Sequence, residues 1–319
     1  MKFFVTGAAG FIGSHLCDHL LALNHSVLAL DDLSLGREAN LEQARSSMAF
    51  SFLKADLLEP AGWHSIVADY SPDAVFHMAA NSDIQAGGGD PRVDLQKTFQ
   101  TTLETLEFCR LHGVKRFLFA STSAVYGEHE EPLHEDMGRM LPISNYGAAK
   151  LAAEAFVSSY VSNYGLSAWI YRFPNVVGER STHGAMFDFM NRLEQNPREL
   201  RILGDGEQSK PYLYVKDLID GIWFAFEKSK EPLNIFNLGV DSQTRVKEIA
   251  DIVCEEMGLR DVRYQFTGGT RGWVGDVPRF KYDLSRVQRL GWRAKTSSSD
   301  SLRIAARAEL AERRTRAAR

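Results

Sequence analysis

Cysteine is scarce: Cys17, Cys109 and Cys254 are the only three in 319 residues, and each lies in helix-like sequence. Their wide separation excludes a disulfide framework and the paired spacing of a zinc site, so we expect reduced core thiols, a cytoplasmic protein and no metal. Long apolar runs are also missing, and a membrane span of ~20 residues cannot be drawn. The opening MKFFV is cut at once by Gly7, Gly10 and Gly13 and does not read as a signal peptide. An excess of basic charge is lacking as well: 37 Lys and Arg stand against 41 Asp and Glu, a net −4, which argues against a nucleic-acid surface. The one basic cluster, Arg303, Arg307, Arg313, Arg314, Arg316 and Arg319 among alanines, reads as a solvated or frayed C-terminal helix. Internal repeats and low-complexity linkers are absent. What remains is a composition typical of globular proteins, with 44% hydrophobic and 24% charged residues, in a chain long enough for two domains or for one with a smaller lobe.

Six short apolar runs, KFFVT, SVLAL, FSFLKA, AVFHMA, RFLFA and SAWIYRF, alternate with helix-period segments through the first half. Strands alternating with helices pair in parallel, and strands apolar on both faces are covered on both sides. The expected class is α/β, a doubly wound parallel Rossmann sheet. After Asn175 the pattern loosens into helical segments and polar loops, which predicts a smaller mixed α/β lobe. We therefore divide the chain into a nucleotide-binding domain, 1–175, and a substrate lobe, 176–319, interwoven at their boundary.

The first strand runs into TGAAGFIGSHL, with Gly7, Gly10 and Gly13 at the turn and Phe11 and Ile12 opening the helix. Such a turn lets the backbone approach a pyrophosphate, which the helix N-terminus then holds by free N–H groups. The second strand ends in Asp31, close to the ~20-residue offset at which an acid grips a ribose, with Asp32 beside it. An acid there repels a 2′-phosphate, which favours NAD over NADP. Asp56 and Leu57 at the next strand end are candidates for the adenine. Ala79 and Ala80 in HMAAN are small enough for a dinucleotide to pass, whereas His77 reads as a core histidine.

Downstream of STSAVYG comes SNYGAAKLAAE, which sets Tyr146 and Lys150 four apart on one helical face. A neighbouring ammonium stabilises a phenolate and lowers the tyrosine pKa from its ordinary ~10, making it a usable base.

Together TGAAGFIG, Asp31, Asp56, HMAA, STSAVYG, YGAAK, RFPNVVG, GDGEQSKPYLYVKDL and RGWVGDVP resemble the extended short-chain dehydrogenase/reductases, the nucleotide-sugar epimerases and dehydratases, over nearly the whole chain. The resemblance implies Thr122 as the catalytic hydroxyl beside Tyr146, Lys150 as a ligand of the nicotinamide ribose too, and Ser82, Ser123, Asn175, Lys210, Arg271 and Asp276 as contacts of a nucleotide-sugar substrate. In relatives that eliminate water or carbon dioxide, the position of Ala124 is typically glutamate, and an acid often stands where this chain has Ser123. Their absence points to an NAD-dependent epimerase, most simply at C4 of a UDP-hexose or UDP-uronic acid. The alternatives are a 4-keto-sugar reductase, a dehydratase whose acid comes from elsewhere, and a non-enzymatic nucleotide sensor. Thr98 stands where many relatives have asparagine, Lys210 where many have arginine, and Pro211 where aspartate is frequent. Ser82 and Asp83 are candidates either for sugar hydroxyls or for capping the next helix. Phe280 matches a bulky position that in 4-epimerases limits N-acetyl sugars. The resemblance also implies a homodimer through segments Asp94 to His112 and Tyr146 to Tyr164.

Overall fold

The structure, a computed structural model, describes residues 1–317, leaving aside the side chains of 85, 316 and 317. Seven strands form its main sheet: β1 Lys2–Thr6, β2 Ser26–Asp31, β3 Phe50–Lys54, β4 Ala74–His77, β5 Arg116–Thr122, β6 Ser167–Phe173 and β7 Leu233–Asn237, in the order β7-β6-β5-β4-β1-β2-β3. The central registers are parallel, with Thr6 opposite Leu30 on one side and His77 on the other. β1, β4 and β5 are buried on both faces, Phe3, Phe4, Val75, Phe76, Phe117 and Phe119 among them, because helices cover each side. His77 is a satisfied core residue: its ring nitrogens hydrogen-bond the Thr6 hydroxyl at 2.8 Å and the Thr102 hydroxyl at 3.1 Å. The strand order reverses between β1 and β4, the place where open α/β sheets leave a crevice at their carboxyl ends.

Compactness divides the chain into two units. The first comprises Met1–Gly127, Gly138–Arg172 and Ile222–Phe236 and contains the main sheet; the second comprises Glu128–Met137, Phe173–Gly221 and Asn237–Arg319. In the second unit Asn175–Val177 pairs in parallel with Tyr212–Tyr214, Glu199–Ile202 with Arg263–Phe266, and Ser209–Lys210 runs antiparallel to Thr244–Arg245. Its core gathers Met190, Leu200, Ile249, Val253, Leu302, Ala305 and Ala306.

The last three of these correct the reading of the arginine-rich tail as solvated or frayed. They lie on one face of the Ser298–Ala317 helix and are fully buried, while arginines on the other faces pair with neighbouring helices. Arg303 meets Glu255 at 2.7 Å, Arg307 meets Glu256 at 2.8 Å, and Arg313 meets Glu194 at 2.6 Å. Alanines are too small to reveal an apolar stripe by hydropathy, which is why the sequence hid it. Arg319 lies outside the described residues.

A buried charge network ties β5, the Asn145–Tyr164 helix and β6 together. Arg172 grips Glu154 with two nitrogens, Nη2 to Oε2 at 2.5 Å and Nε to Oε1 at 3.0 Å; Ser121 donates to the same carboxylate at 2.5 Å, and Arg172 Nη1 donates to the Tyr126 hydroxyl at 3.0 Å. Removing one partner strands the other charge in the core. Arg172→Met should therefore cost about 3–5 kcal/mol, and the double change Arg172→Met/Glu154→Leu should recover most of it. Chemical denaturation of the three proteins checks this, and equal stability of the single and double variants would contradict it.

Candidate active site

At the end of β1 the backbone turns through Gly7 with φ +63°, a left-handed conformation that favours glycine. A Cβ on Gly7 would lie 2.6 Å from the Ala79 backbone nitrogen, so only glycine lets the first turn meet the end of β4. The Phe11–Ala22 helix follows with Gly10 at its N-cap and no side chain capping it, which leaves first-turn N–H groups directed past the carboxyl ends of β1 and β4. Asp31 closes the same edge. Its carboxylate is buried and accepts from Ala9 N at 2.9 Å and Leu33 N at 2.8 Å; burial raises its pKa despite those amides. A glycine cradle, an uncapped helix start and a buried acid fit a dinucleotide, and these residues are the ones that would hold it.

The neighbours Asp32 and Asp56 share a cation: Lys97 Nζ donates to Asp32 at 2.7 Å and to Asp56 at 3.4 Å. Burial works against the Asp32 charge, but Lys97 and Ser34 outweigh it and hold its pKa below the usual value. Leu57 is buried in the main core, and Ala79 and Ala80 are half-buried.

The catalytic candidates come from two elements brought close by one small residue. Ser144 caps the Asn145–Tyr164 helix, its hydroxyl accepting from Gly147 N at 3.1 Å. A Cβ on Gly147 would stand 2.6 Å from the Ala124 carbonyl, so glycine lets this helix press against the turn that follows β5. The result brings the Thr122 hydroxyl near enough to the Tyr146 phenol to oppose the effect of burial on its pKa. Ala124, with no acid to offer, donates its own N–H to the Thr122 hydroxyl at 3.2 Å. Ser123 lies half-buried in the same turn.

Lys150 is 1% exposed, and its ammonium donates to the Ala120 carbonyl at 2.6 Å. It sits over the Phe119 ring at 4.6 Å and 6.0 Å from the centre of the Tyr146 ring. Burial drives its pKa down to about 7, against the pull of Glu154 and Asp94. Burial likewise holds Tyr146 well above its ordinary value, opposed by Thr122. In the unliganded protein desolvation thus outweighs the expected lowering of Tyr146 by Lys150.

The second unit pairs its candidates with one another. Lys210, 8% exposed, forms a short ion pair with Asp276, 2% exposed, and lies over the Trp273 ring at 4.9 Å; Asp276 also accepts from Gly272 N at 3.0 Å. Arg271 meets Glu128 at 2.9 Å on the surface. Asn175 and Ser82 are exposed, and Asp83 caps the Ile84–Gly89 helix by accepting from Ala86 N at 3.0 Å. Phe280 is buried against Tyr282, with ring centres 5.6 Å apart. Thr98, also buried, accepts from Asn81 N at 3.1 Å.

Sequence reasoning missed several participants. Glu154 had a signal, since it follows Tyr146 and Lys150 at a further four-residue step. Asp94, Asn81 and Lys97 had none, because only the tertiary fold brings them to the strand ends.

A parallel sheet reversing at β1/β4, a dinucleotide cradle and a Thr–Tyr–Lys cluster define a short-chain dehydrogenase-like enzyme. The chain belongs to the NAD dependent epimerase/dehydratase family, which matches residues 3–239. It is 33% identical over 311 residues to a UDP-glucose 4-epimerase of Mycolicibacterium smegmatis, covering 95% of this chain and 96% of that one. Among solved structures it resembles the Thermus thermophilus UDP-glucose 4-epimerase in complex with NAD, with TM-score 0.86, 29% identity and coverage of 97% and 98%. The Bacillus cereus UDP-glucuronic acid 4-epimerase, in complex with UDP-glucuronic acid and NAD, gives TM-score 0.88 and 28% identity over 98% of this chain and 100% of that one.

Lys150 makes stability depend on pH with a definite sign. Below pH 7 it is charged in both states, and the folded state bears the full cost of burying the ammonium. From pH 7 to ~10.4 the folded lysine is neutral while the unfolded one is still charged, so stability conferred by this site rises with pH and then levels off. Melting temperatures of the cofactor-free wild type should climb relative to Lys150→Met across that window; a constant gap from pH 6 to 10 would contradict the assignment.

Proposed function

We propose that this protein is an NAD-dependent nucleotide-sugar 4-epimerase. The observation that carries the reading is Lys150, buried 6.0 Å from the centre of the Tyr146 ring, with the Thr122 hydroxyl beside that phenol and alanine at 124. Tyr146 takes the proton of the sugar 4-hydroxyl through the Thr122 hydroxyl, whose orientation the Ala124 N–H helps to fix. NAD, when bound, supplies the hydride acceptor and donor and a positive charge that favours the tyrosinate. Lys150 would hold the nicotinamide ribose and add its own charge. After the 4-keto sugar presents its other face, Tyr146 returns the proton to the oxygen by the same path, so atoms and electrons balance and the product is an isomer. With no acid at 124 or 123, the turn after β5 has nothing to drive elimination.

Gly7, Gly10, Phe11, Ile12 and Gly13 would receive the pyrophosphate, Asp31 and Asp32 the adenosine ribose, and Asp56 and Leu57 the adenine, past Ala79 and Ala80. Asn175, Lys210, Arg271 and Asp276 would take the nucleotide of a UDP-sugar, with Ser82 and Ser123 toward the hexose. For that, a diphosphate must compete with Asp276 for Lys210 and with Glu128 for Arg271. Phe280, bulky and buried, favours a hexose or uronic acid without an N-acetyl group.

Tyr146→Phe should leave NAD bound and reduce turnover of UDP-hexoses to background, and Thr122→Ala should lower kcat by about 10²–10⁴-fold. Proton NMR of UDP-, GDP-, CDP- and dTDP-sugars, without added cofactor, reads both. Substantial activity in Tyr146→Phe would remove it as the base.

We infer a homodimer as well. Leu95, Leu111, Phe156 and Tyr164 are exposed large apolar residues within the two segments assigned to the interface, and covering them removes that surface from water. Light scattering at micromolar concentration should give twice the chain mass; a monomer would rule this out.

A further inference from the structure

Lys150 is a buried cation, and the charges around it do not balance unless one more carboxylate is counted. Glu154 lies one turn further along the same helix, but Arg172 grips it with two nitrogens and Ser121 donates to it, so its charge is already matched. The remaining acid is Asp94, on the short Pro91–Asp94 helix that packs against the Asn145–Tyr164 helix. Asp94 is 1% exposed. Its Oδ1 accepts from Asn81 Nδ2 at 2.8 Å, whereas Oδ2 is buried with no hydrogen-bond donor among the described residues. A carboxylate so placed costs several kcal/mol unless a charge compensates it.

The side chain is held in that place. Its Oδ2 packs so closely on Gly87 that a Cβ there would lie 1.9 Å away, and Asn145, next to Tyr146, donates to the Gly87 carbonyl at 2.9 Å. Asp94, Gly87 and Asn145 thus couple the Pro91–Asp94 helix, the Ile84–Gly89 helix and the start of the catalytic helix.

We propose that Asp94 is a positioning residue: its buried carboxylate is the counter-charge that keeps Lys150 an ammonium. This rests on the reading of Lys150 and Tyr146 given above.

The surrounding titratable groups leave this assignment to Asp94. From the segment before Ile84, Asp83 adds a like charge. From the catalytic helix come Tyr146, Lys150 and the matched Glu154. His77 on β4 is held neutral by burial, and Lys97 in the following helical stretch is spent on Asp32 and Asp56. Asp94 raises the pKa of both Lys150 and Tyr146, so neutralising it should lower both.

Asp94→Asn keeps the shape and the Asn81 contact and removes the charge. In the full-length holoenzyme both limbs of the kcat/KM–pH profile, which Lys150 and Tyr146 set together, should move down by roughly one unit. A residue that merely supports the fold would lower activity without displacing either limb, and unmoved limbs overturn the proposal. A second measurement needs no substrate. Thermal unfolding of wild type, Asp94→Asn, Lys150→Met and the double variant should be non-additive by several degrees near pH 6.5 and additive near pH 9.5, where Lys150 is neutral in every folded form that retains it. Additivity at both pH values overturns the pairing. Non-additivity at pH 6.5 in a protein that turns over no nucleotide sugar would uphold the pairing while refuting the epimerase reading.

Discussion

An ammonium kept out of water at the carboxyl end of a parallel strand is the constraint around which this protein is built. Lys150 cannot be solvated where it lies; it has the Ala120 carbonyl, two ring faces and the field of nearby carboxylates. Holding a cation in such a place demands rigid surroundings. They are provided by the Arg172–Glu154 pair, which fastens the same helix to β5 and β6, and by Gly147, which lets the helix lie against the turn after β5. What the arrangement yields is a phenol and an ammonium whose ordinary pKa values are pushed toward and past each other by desolvation, so that added charge from a ligand has a large effect on both.

The sheet brings this cluster to the glycine turn by its topology. β1 and β4 lie side by side because the chain winds first in one direction and then in the other, and Gly7 lets their ends approach within backbone contact. An uncapped helix start and a buried Asp31 stand at that edge. The same sheet carries Thr122 at the end of β5, next to β4, so the glycine turn and the Thr122 hydroxyl occupy neighbouring strand ends of one compact unit.

Much of this was legible in the sequence, and what was not has physical causes. The alternation of strands with helices and the glycine spacing are local patterns, so the doubly wound class and the turn at Gly7 could be read directly. So could the meeting of Tyr146 and Lys150, since four residues are one helical turn. Partnerships across long sequence separations could not be read. Lys210 and Asp276 are 66 residues apart and pair with each other inside the second unit, and Arg271 meets Glu128 across 143. Asp94 looked like an unremarkable acid after a proline, because burial is a property of the fold. The Ser298–Ala317 helix misled for another reason: alanines contribute little to hydropathy yet pack closely enough to make a core face, and its arginines find glutamates on neighbouring helices.

The proposed 4-epimerase returns to the sugar the same hydrogen that it removes. UDP-glucose and UDP-glucuronic acid carrying deuterium at C4 would be incubated in ordinary water with the purified protein and no added cofactor, and the isomeric product examined by NMR and mass spectrometry. Retention of the label at C4 in an isomer of unchanged mass is the result this account predicts. Loss of the label to solvent, or a product lacking water or carbon dioxide, would contradict it.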